Sequence, residues 1–172
     1  NSDLVNCFNI IRTNPKEFYE ILSGYEYSRD YYYTLRSMDR LNQIEKAARF
    51  YFLNRTCWNG LYRVNKKGEF NVPMGKFNKT PTFMKFDKIK EISKTLENVS
   101  LKCCDFSDAV DACKEGDFVY FDPPYITGHK NNGFAQYNNR VFSWEDQKRL
   151  AKISIKLKEN GIKVMISNAN HD

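Results

Sequence analysis

Hydrophobic positions in the first part of the chain recur at helical spacing. Leu4, Val5, Phe8 and Ile11 fall on one face and predict an amphipathic helix. Pro15 suits the start of a second helix, with Phe18, Tyr19, Ile21 and Leu22 inward and Gly24 as its stop. Residues 25–40 are rich in Tyr and Arg, with Tyr31-Tyr-Tyr33 in their middle, and are assigned no element. Residues 43–54 read as helix. The period then changes to two. Leu61–Asn65 and Glu69–Val72 alternate around the turn signal Lys66-Lys-Gly68, which predicts a β-hairpin ending before Pro73. A basic loop over 75–81 leads to a helix over 84–97.

From residue 98 the pattern becomes α/β. Val99–Cys103 reads as a short strand, Ser107–Glu115 as a short helix or turn, and Phe118–Phe121 as a buried strand. Residues 126–142 form a long polar loop with Asn, Gly and aromatics, a length that goes with function or disorder. Ser143 with Asp146 three residues on is an acidic variant of the capping box. That helix should run to Asn160 and stop at Gly161. Lys163–Ser167 is the next strand, so 118–167 predicts a right-handed parallel crossover.

The length of 172 residues suits one domain, or one domain with an insertion. A hydrophobic content of 41% and a charged content of 28% describe a soluble globular chain. Aromatics reach 15%, enough for stacking surfaces as well as a core. The net charge of +6 is too modest to argue for a nucleic-acid partner. The 5 cysteines lack Cys-x-x-Cys spacing, so neither a zinc site nor a disulfide framework is expected. No metal is expected at all. Reduced thiols suit a cytoplasmic protein, and no apolar run reaches the length of a membrane span. The chain opens on Asn1-Ser-Asp without Met and closes just beyond a strand-like run, so a piece of a longer protein is expected.

One short stretch names a chemistry. Residues 119–125 read Val-Tyr-Phe-Asp-Pro-Pro-Tyr, an apolar strand ending on an acid, two prolines and an aromatic ring. This suits methylation of an exocyclic amine on a nucleic-acid base. Such a nitrogen is flat and a poor nucleophile until acceptors draw on its N–H protons. The Asp122 carboxylate can accept one and the Pro123 carbonyl the other. Pro123 has a fixed φ, and Pro124 pushes it towards an extended conformation, so the acceptor pair is rigid before substrate arrives. Tyr125 offers a flat face for an extruded base. The alternative is an ordinary strand-to-loop turn, which Asp and Pro also favour.

A second stretch, residues 54–76, is polar, basic and aromatic and leads into the hairpin. Arg55, Arg63, Lys66, Lys67 and Lys76 can neutralise phosphates. Arg63 and Asn65 share one strand face, and their side chains can pair with guanine and adenine. Trp58 can wedge between base pairs. The competing reading is a solvated hairpin with Trp58 in a core.

Together these residues resemble the Dam-type DNA adenine-N6 methyltransferases, the D12 or α-class. The resemblance runs through Asn1-Ser-Asp-Leu4, residues 50–76, Asp105-Phe106, Asp117–Tyr125, Phe134-x-x-Tyr137 and Ile166-Ser-Asn168. It implies an α/β fold, a partial Rossmann-like methyltransferase domain with a helical plus β-hairpin target-recognition insert. Residues 1–24 then belong to the catalytic domain, 25–97 to the DNA-binding domain, and 98–172 to the catalytic domain with its Asp-Pro-Pro-Tyr motif. The implied activity is methyl transfer from S-adenosylmethionine to adenine N6 in double-stranded DNA, usually at GATC, with the adenine flipped out. By resemblance, Asp122, Pro123, Pro124 and Tyr125 are catalytic, and Asp105, Phe106 and Asp122 line the cofactor site. Arg55 would contact a phosphate, Trp58 would intercalate and Asn59 would meet the orphaned thymine. Leu61, Arg63 and Pro73 would read bases, with Asn65 beside them and Lys76 near the backbone.

One feature departs from that pattern. The family's glycine-rich cofactor loop and ribose-binding acid lie upstream of its Asn-x-Asp-Leu stretch, and no Gly-x-Gly occurs in this chain. The 172 residues alone are therefore expected to be inactive. The first rival is a non-catalytic DNA-binding module derived from such an enzyme. The second is an RNA or protein amino-methyltransferase, which the 54–76 block opposes.

Overall fold

The computed structural model describes residues 1–76, 78–124 and 142–168. They divide into two compact units, Asn1–Cys103 and Cys104–Asp172.

Among the described residues, the first unit holds the α-helices α1 (Ser2–Thr13), α2 (Pro15–Ser23), α3 (Arg29–Ser37), α4 (Gln43–Thr56) and α5 (Phe86–Thr95). Local chemistry sets their starts. The Asn1 side chain accepts from the Leu4 amide, Pro15 stands in the first turn of α2, and Asn42 and Glu45 form a reciprocal capping box on α4. Helix α4 is the centre of this unit, packed on by α1, α2 and α3. Its Ala47 and Ala48 are fully buried, as is Phe52. Around Phe52 stand Tyr25 edge-on at 5.4 Å and Phe83 stacked at 5.4 Å between ring centroids.

Helix α3 occupies the Tyr-rich stretch that sequence left unassigned. Ser28 caps it, and Tyr32 and Leu35 turn inward into the core. The Tyr32 hydroxyl donates to the Val72 carbonyl at 3.0 Å, so a buried phenol has its partner.

The expected hairpin is present but is not a continuous ladder. Val64 and Phe70 form one antiparallel bridge and Cys57 and Met74 another. Helices α1 and α2 pack on α4 and α5, and the Tyr62 hydroxyl donates to Asp3 at 2.9 Å. The packing division therefore falls after Cys103, and residues 1–24 lie inside the first unit.

The second unit holds α6 (Phe106–Ala109), β1 (Phe118–Phe121), α7 (Trp144–Glu159) and β2 (Lys163–Ile166). Strands β1 and β2 pair in parallel, Phe118 opposite Lys163 and Phe121 opposite Ile166. The Ser143–Asp146 capping box opens α7, as its sequence predicts. Phe121, Leu150, Leu157 and Ile162 make the small core.

Two expectations fail here. Val99–Cys103 forms no strand, because a strand needs a neighbour's ladder and no described segment pairs with it. Strand β1 is also not buried throughout. Phe121 is, but Phe118 is 59% exposed and Tyr120 53%, and Met165 beside Tyr120 is 55% exposed. Parallel strands normally carry cover on both faces. Among the described residues of this unit, only the Val119–Phe121 face has it. Among the described residues no helix is long and apolar enough to cross a membrane.

Candidate functional site

Strand β1 delivers the acid. Its last ladder bond runs from the Ser167 amide to the Phe121 carbonyl at 2.9 Å, and Asp122 follows immediately. The carboxylate thus stands at the carboxyl end of a parallel strand, where open α/β sheets place ligands. Asp122 is exposed, Pro123 half-buried and Pro124 exposed. Among the described residues nothing pairs with the Asp122 carboxylate by a hydrogen bond or an ion pair. Tyr125 and the Phe134-x-x-Tyr137 loop lie outside the described residues.

Asp105 and Phe106 lie next to this strand end, since the Phe106 ring meets Phe121 edge-on at 6.4 Å. Asp105 caps α6. Its Oδ1 accepts from the Ser107 amide at 3.0 Å, the Ser107 hydroxyl at 2.7 Å and Arg149 Nη2 at 2.6 Å. The Ser107 donors, followed by the Arg149 charge, hold the Asp105 carboxyl below its ordinary value. Arg149 Nη1 donates to Asp146 at 2.7 Å, and its guanidinium lies 4.8 Å from the centre of the Phe106 ring. One arginine on α7 therefore holds two of the three residues assigned to the cofactor, Asp105 and Phe106. Sequence reasoning missed it. The Asp146–Arg149 spacing signals a helical pair, but nothing local signals the reach to Asp105.

The second constellation is built at the end of α4. After Cys57 the chain makes a 3-10 turn, Trp58–Gly60, with Asn59 at φ 52° and Gly60 at φ 62°. Asn tolerates the left-handed region better than most residues, and Gly enters it freely. The Asn54 side chain donates to the Gly60 carbonyl at 2.9 Å. The Trp58 amide donates to the Pro73 carbonyl at 2.9 Å and the Gly75 amide to the Thr56 carbonyl at 2.9 Å. These bonds clamp the turn to the hairpin's return strand. Trp58 projects from it with 51% of its surface exposed, so it is no core residue.

Arg55, Trp58, Asn59, Pro73 and Lys76 line a single cavity of about 900 Å³. Arg29 and Tyr33 of α3, to which sequence assigned no role, line it too. Arg55 Nε donates to the Thr82 carbonyl at 3.2 Å. Leu61 is half-buried against the core, and its carbonyl accepts from the Cys57 thiol at 3.1 Å.

Arg63 and Asn65 are held within the hairpin. Arg63 Nε donates to the Asn71 side chain at 2.8 Å. Asn65 Oδ1 accepts from the Lys67 and Glu69 amides at 2.9 and 3.0 Å, and its Nδ2 donates to Glu69 at 2.7 Å. Asn65 organises the turn, and a bidentate contact to a base requires its Oδ1, which already accepts twice, to give up one of these bonds. Among the described residues no cluster of His, Cys, Asp and Glu is gathered as metal ligands would be.

The family model of the D12 class N6 adenine-specific DNA methyltransferase matches residues 1–172. The chain is 42% identical over 180 residues to the Type II methyltransferase M1.LlaDCHI of Lactococcus lactis subsp. cremoris, covering 99% of this chain and 63% of that protein. It is 38% identical over 183 residues to the Type II methyltransferase M.MjaIII of Methanocaldococcus jannaschii, covering 98% and 63%. It is 33% identical over 178 residues to the DNA adenine methylase of Escherichia coli strain K12, covering 100% and 63%. The chain thus spans a little under two thirds of the length of these relatives.

Proposed function

The chain belongs to the D12 class of N6 adenine-specific DNA methyltransferases, and from that premise we propose that its whole protein methylates adenine N6 in double-stranded DNA, with GATC as target. The carrying observation is the exposed Asp122 carboxylate at the carboxyl end of β1, followed by the Pro123 carbonyl on a proline-fixed backbone. In this reading, Asp122 and the Pro123 carbonyl accept the two N–H bonds of a flipped adenine. They draw the nitrogen lone pair out of the ring as the new bond forms. Acceptors fixed in advance need no reorganisation at that moment, and one such contact is worth roughly 10²–10³ in rate. Pro124 keeps Pro123 extended, and Tyr125 takes the base face.

S-adenosylmethionine supplies the methyl group. The residues present suit one side of it. An adenine ring needs a flat apolar face and an acceptor for its amine, and Phe106 and Asp105 offer both, held in place by Arg149. The chain's lack of Gly-x-Gly supports the further reading that residues 1–172 alone bind the cofactor poorly and do not turn over. Residues 25–97 serve as the recognition part, 98–172 as part of a Rossmann-like catalytic domain, and 1–24 as a catalytic segment packed on the recognition helices. Trp58 wedges into the duplex, Asn59 meets the orphaned thymine, Arg63, Leu61 and Pro73 read bases, and Arg55 and Lys76 meet phosphates. The exposed Trp58 supports the wedge, and the shared cavity supports the roles given to Arg55, Asn59, Pro73 and Lys76.

The test is methyl transfer by the full-length protein to duplexes containing GATC or a one-base variant. Asp122→Ala should lower transfer by at least about 10²-fold while leaving folding and duplex binding intact. A folded, DNA-binding Asp122→Ala protein that methylates at near the parental rate rejects the assignment.

A further inference from the structure

The cavity in the helical unit gathers more positive charge than the 54–76 block supplies. Arg29 comes from α3 and lines it together with Arg55 and Lys76. Its guanidinium lies 5.3 Å from the centre of the Tyr33 ring, and that of Arg36 lies 4.7 Å from the same ring. Positions four before and three after Tyr33 share its helix face, so the arrangement is intrinsic to α3.

The two arginines differ in what else they hold. Arg36 Nη1 donates to the Val72 carbonyl at 3.0 Å, beside the Tyr32 hydroxyl, and so braces the residue before Pro73. Arg29 has neither a hydrogen bond nor an ion pair to any described residue. It is exposed and stands at the first position of α3, after the Ser28 cap, where the positive end of the helix disfavours a cation. Asp30 is its neighbour but does not pair with it. Folding gains little from an arginine there. A polyanion entering the cavity gains a flat guanidinium, set by stacking, with its N–H edge unengaged by any described residue.

Resting on the reading that this cavity receives duplex DNA, we propose that Arg29, stacked on Tyr33, is a clamp for a backbone phosphate and makes α3 an additional wall of the DNA groove. The contact is sequence-independent, because phosphates carry no base identity. It extends the interface to a helix outside the 54–76 block.

The test uses the full-length protein and fluorescence anisotropy on a target duplex and a scrambled duplex, from 50 to 200 mM KCl. Each phosphate neutralised contributes about 0.9 to the slope of log affinity against log salt. Arg29→Gln should reduce that slope by about 0.9. The affinity advantage of the parent over the variant should then shrink about 3.5-fold across the fourfold salt range. The loss should be equal on both duplexes, and Arg29→Lys should retain most of the slope. An unchanged slope in a folded Arg29→Gln protein, while Arg55→Gln lowers it, overturns the clamp and leaves the DNA reading standing. A loss confined to the target duplex also overturns it, by making Arg29 a base reader. Parental binding without salt dependence overturns both this inference and the reading beneath it.

Discussion

Trp58→Ala separates a DNA wedge from a structural tryptophan. Trp58 exposes 51% of its surface, so about half of a large aromatic's area is at stake in folding. An aromatic side chain buries roughly 150–250 Å² when enclosed, so about 100 Å² is lost here, or about 2.5 kcal/mol at ~25 cal/mol per Å². That is an upper bound, because the unfolded chain is itself partly compact. The backbone clamp from the Trp58 amide to Pro73 survives the substitution. Phe52→Ala supplies the contrast. Phe52 is fully buried among aromatic rings, and its truncation should cost about 3–5 kcal/mol, transfer and cavity together. On the DNA side, an aromatic stacked on a base is worth roughly 1–3 kcal/mol. Losing it should lower the extruded population about 5- to 150-fold, at about 1.4 kcal/mol per tenfold. The assay is 2-aminopurine fluorescence at the target adenine with the full-length protein, beside thermal midpoints of both variants. Trp58→Ala should abolish most of the fluorescence rise and lower the midpoint less than Phe52→Ala does. A midpoint loss as large as that of Phe52→Ala, with the fluorescence rise intact, refutes the wedge and returns Trp58 to the fold.

Arg63→Ala should relax sequence choice by about 1–3 kcal/mol, whereas Lys66→Ala and Lys67→Ala should weaken target and scrambled duplexes alike. Binding isotherms on both duplexes decide it, and equal losses for Arg63→Ala make that residue a phosphate contact. Alkaline pH should destabilise the helical unit, because burial pushes the Cys7 thiol up from 9.0 to about 12, Cys57 from 9.0 to about 11 and the Tyr25 phenol from 10.0 to about 12. Raised folded values give stability that is present below pH 9 and lost as pH climbs through 11–12, so urea midpoints should fall between pH 8.5 and 11. A flat profile counts against burial of these groups. Calorimetric titration of residues 1–172 with S-adenosylmethionine should show no micromolar binding. A clear micromolar isotherm disproves the reading from glycine content.

The sequence was most legible where the deciding interaction is short in range. Pro15, and Ser143 with Asp146, each start a helix through contacts within one turn, and both are where the pattern puts them. The Asn42–Glu45 box that starts α4 is equally local. The turn at Lys66–Gly68 is local for the same reason. The chemistry proposed for Asp122 and Pro123 rests on neighbours in the chain, so it can be read from the motif alone.

Elsewhere the decision belonged to distant partners. Tyr31-Tyr-Tyr33 carries no strong helical preference, since aromatics lose rotamer freedom against the preceding turn. The stretch becomes α3 because Tyr32 reaches the core and the Val72 carbonyl. Val99–Cys103 has a strand's composition and, among the described residues, no strand's neighbour. The role of Trp58 as core or surface was open from its neighbours alone. The clamp between Thr56–Trp58 and Pro73–Gly75 turned it outward. Arg149 reaches Asp105 across 44 residues, and Arg29 joins Arg55 and Lys76 in one cavity. Propensities, caps and motifs act along the chain and are written in it. Which side chains converge on a cavity depends on how buried faces pack, and packing is a property of the whole fold.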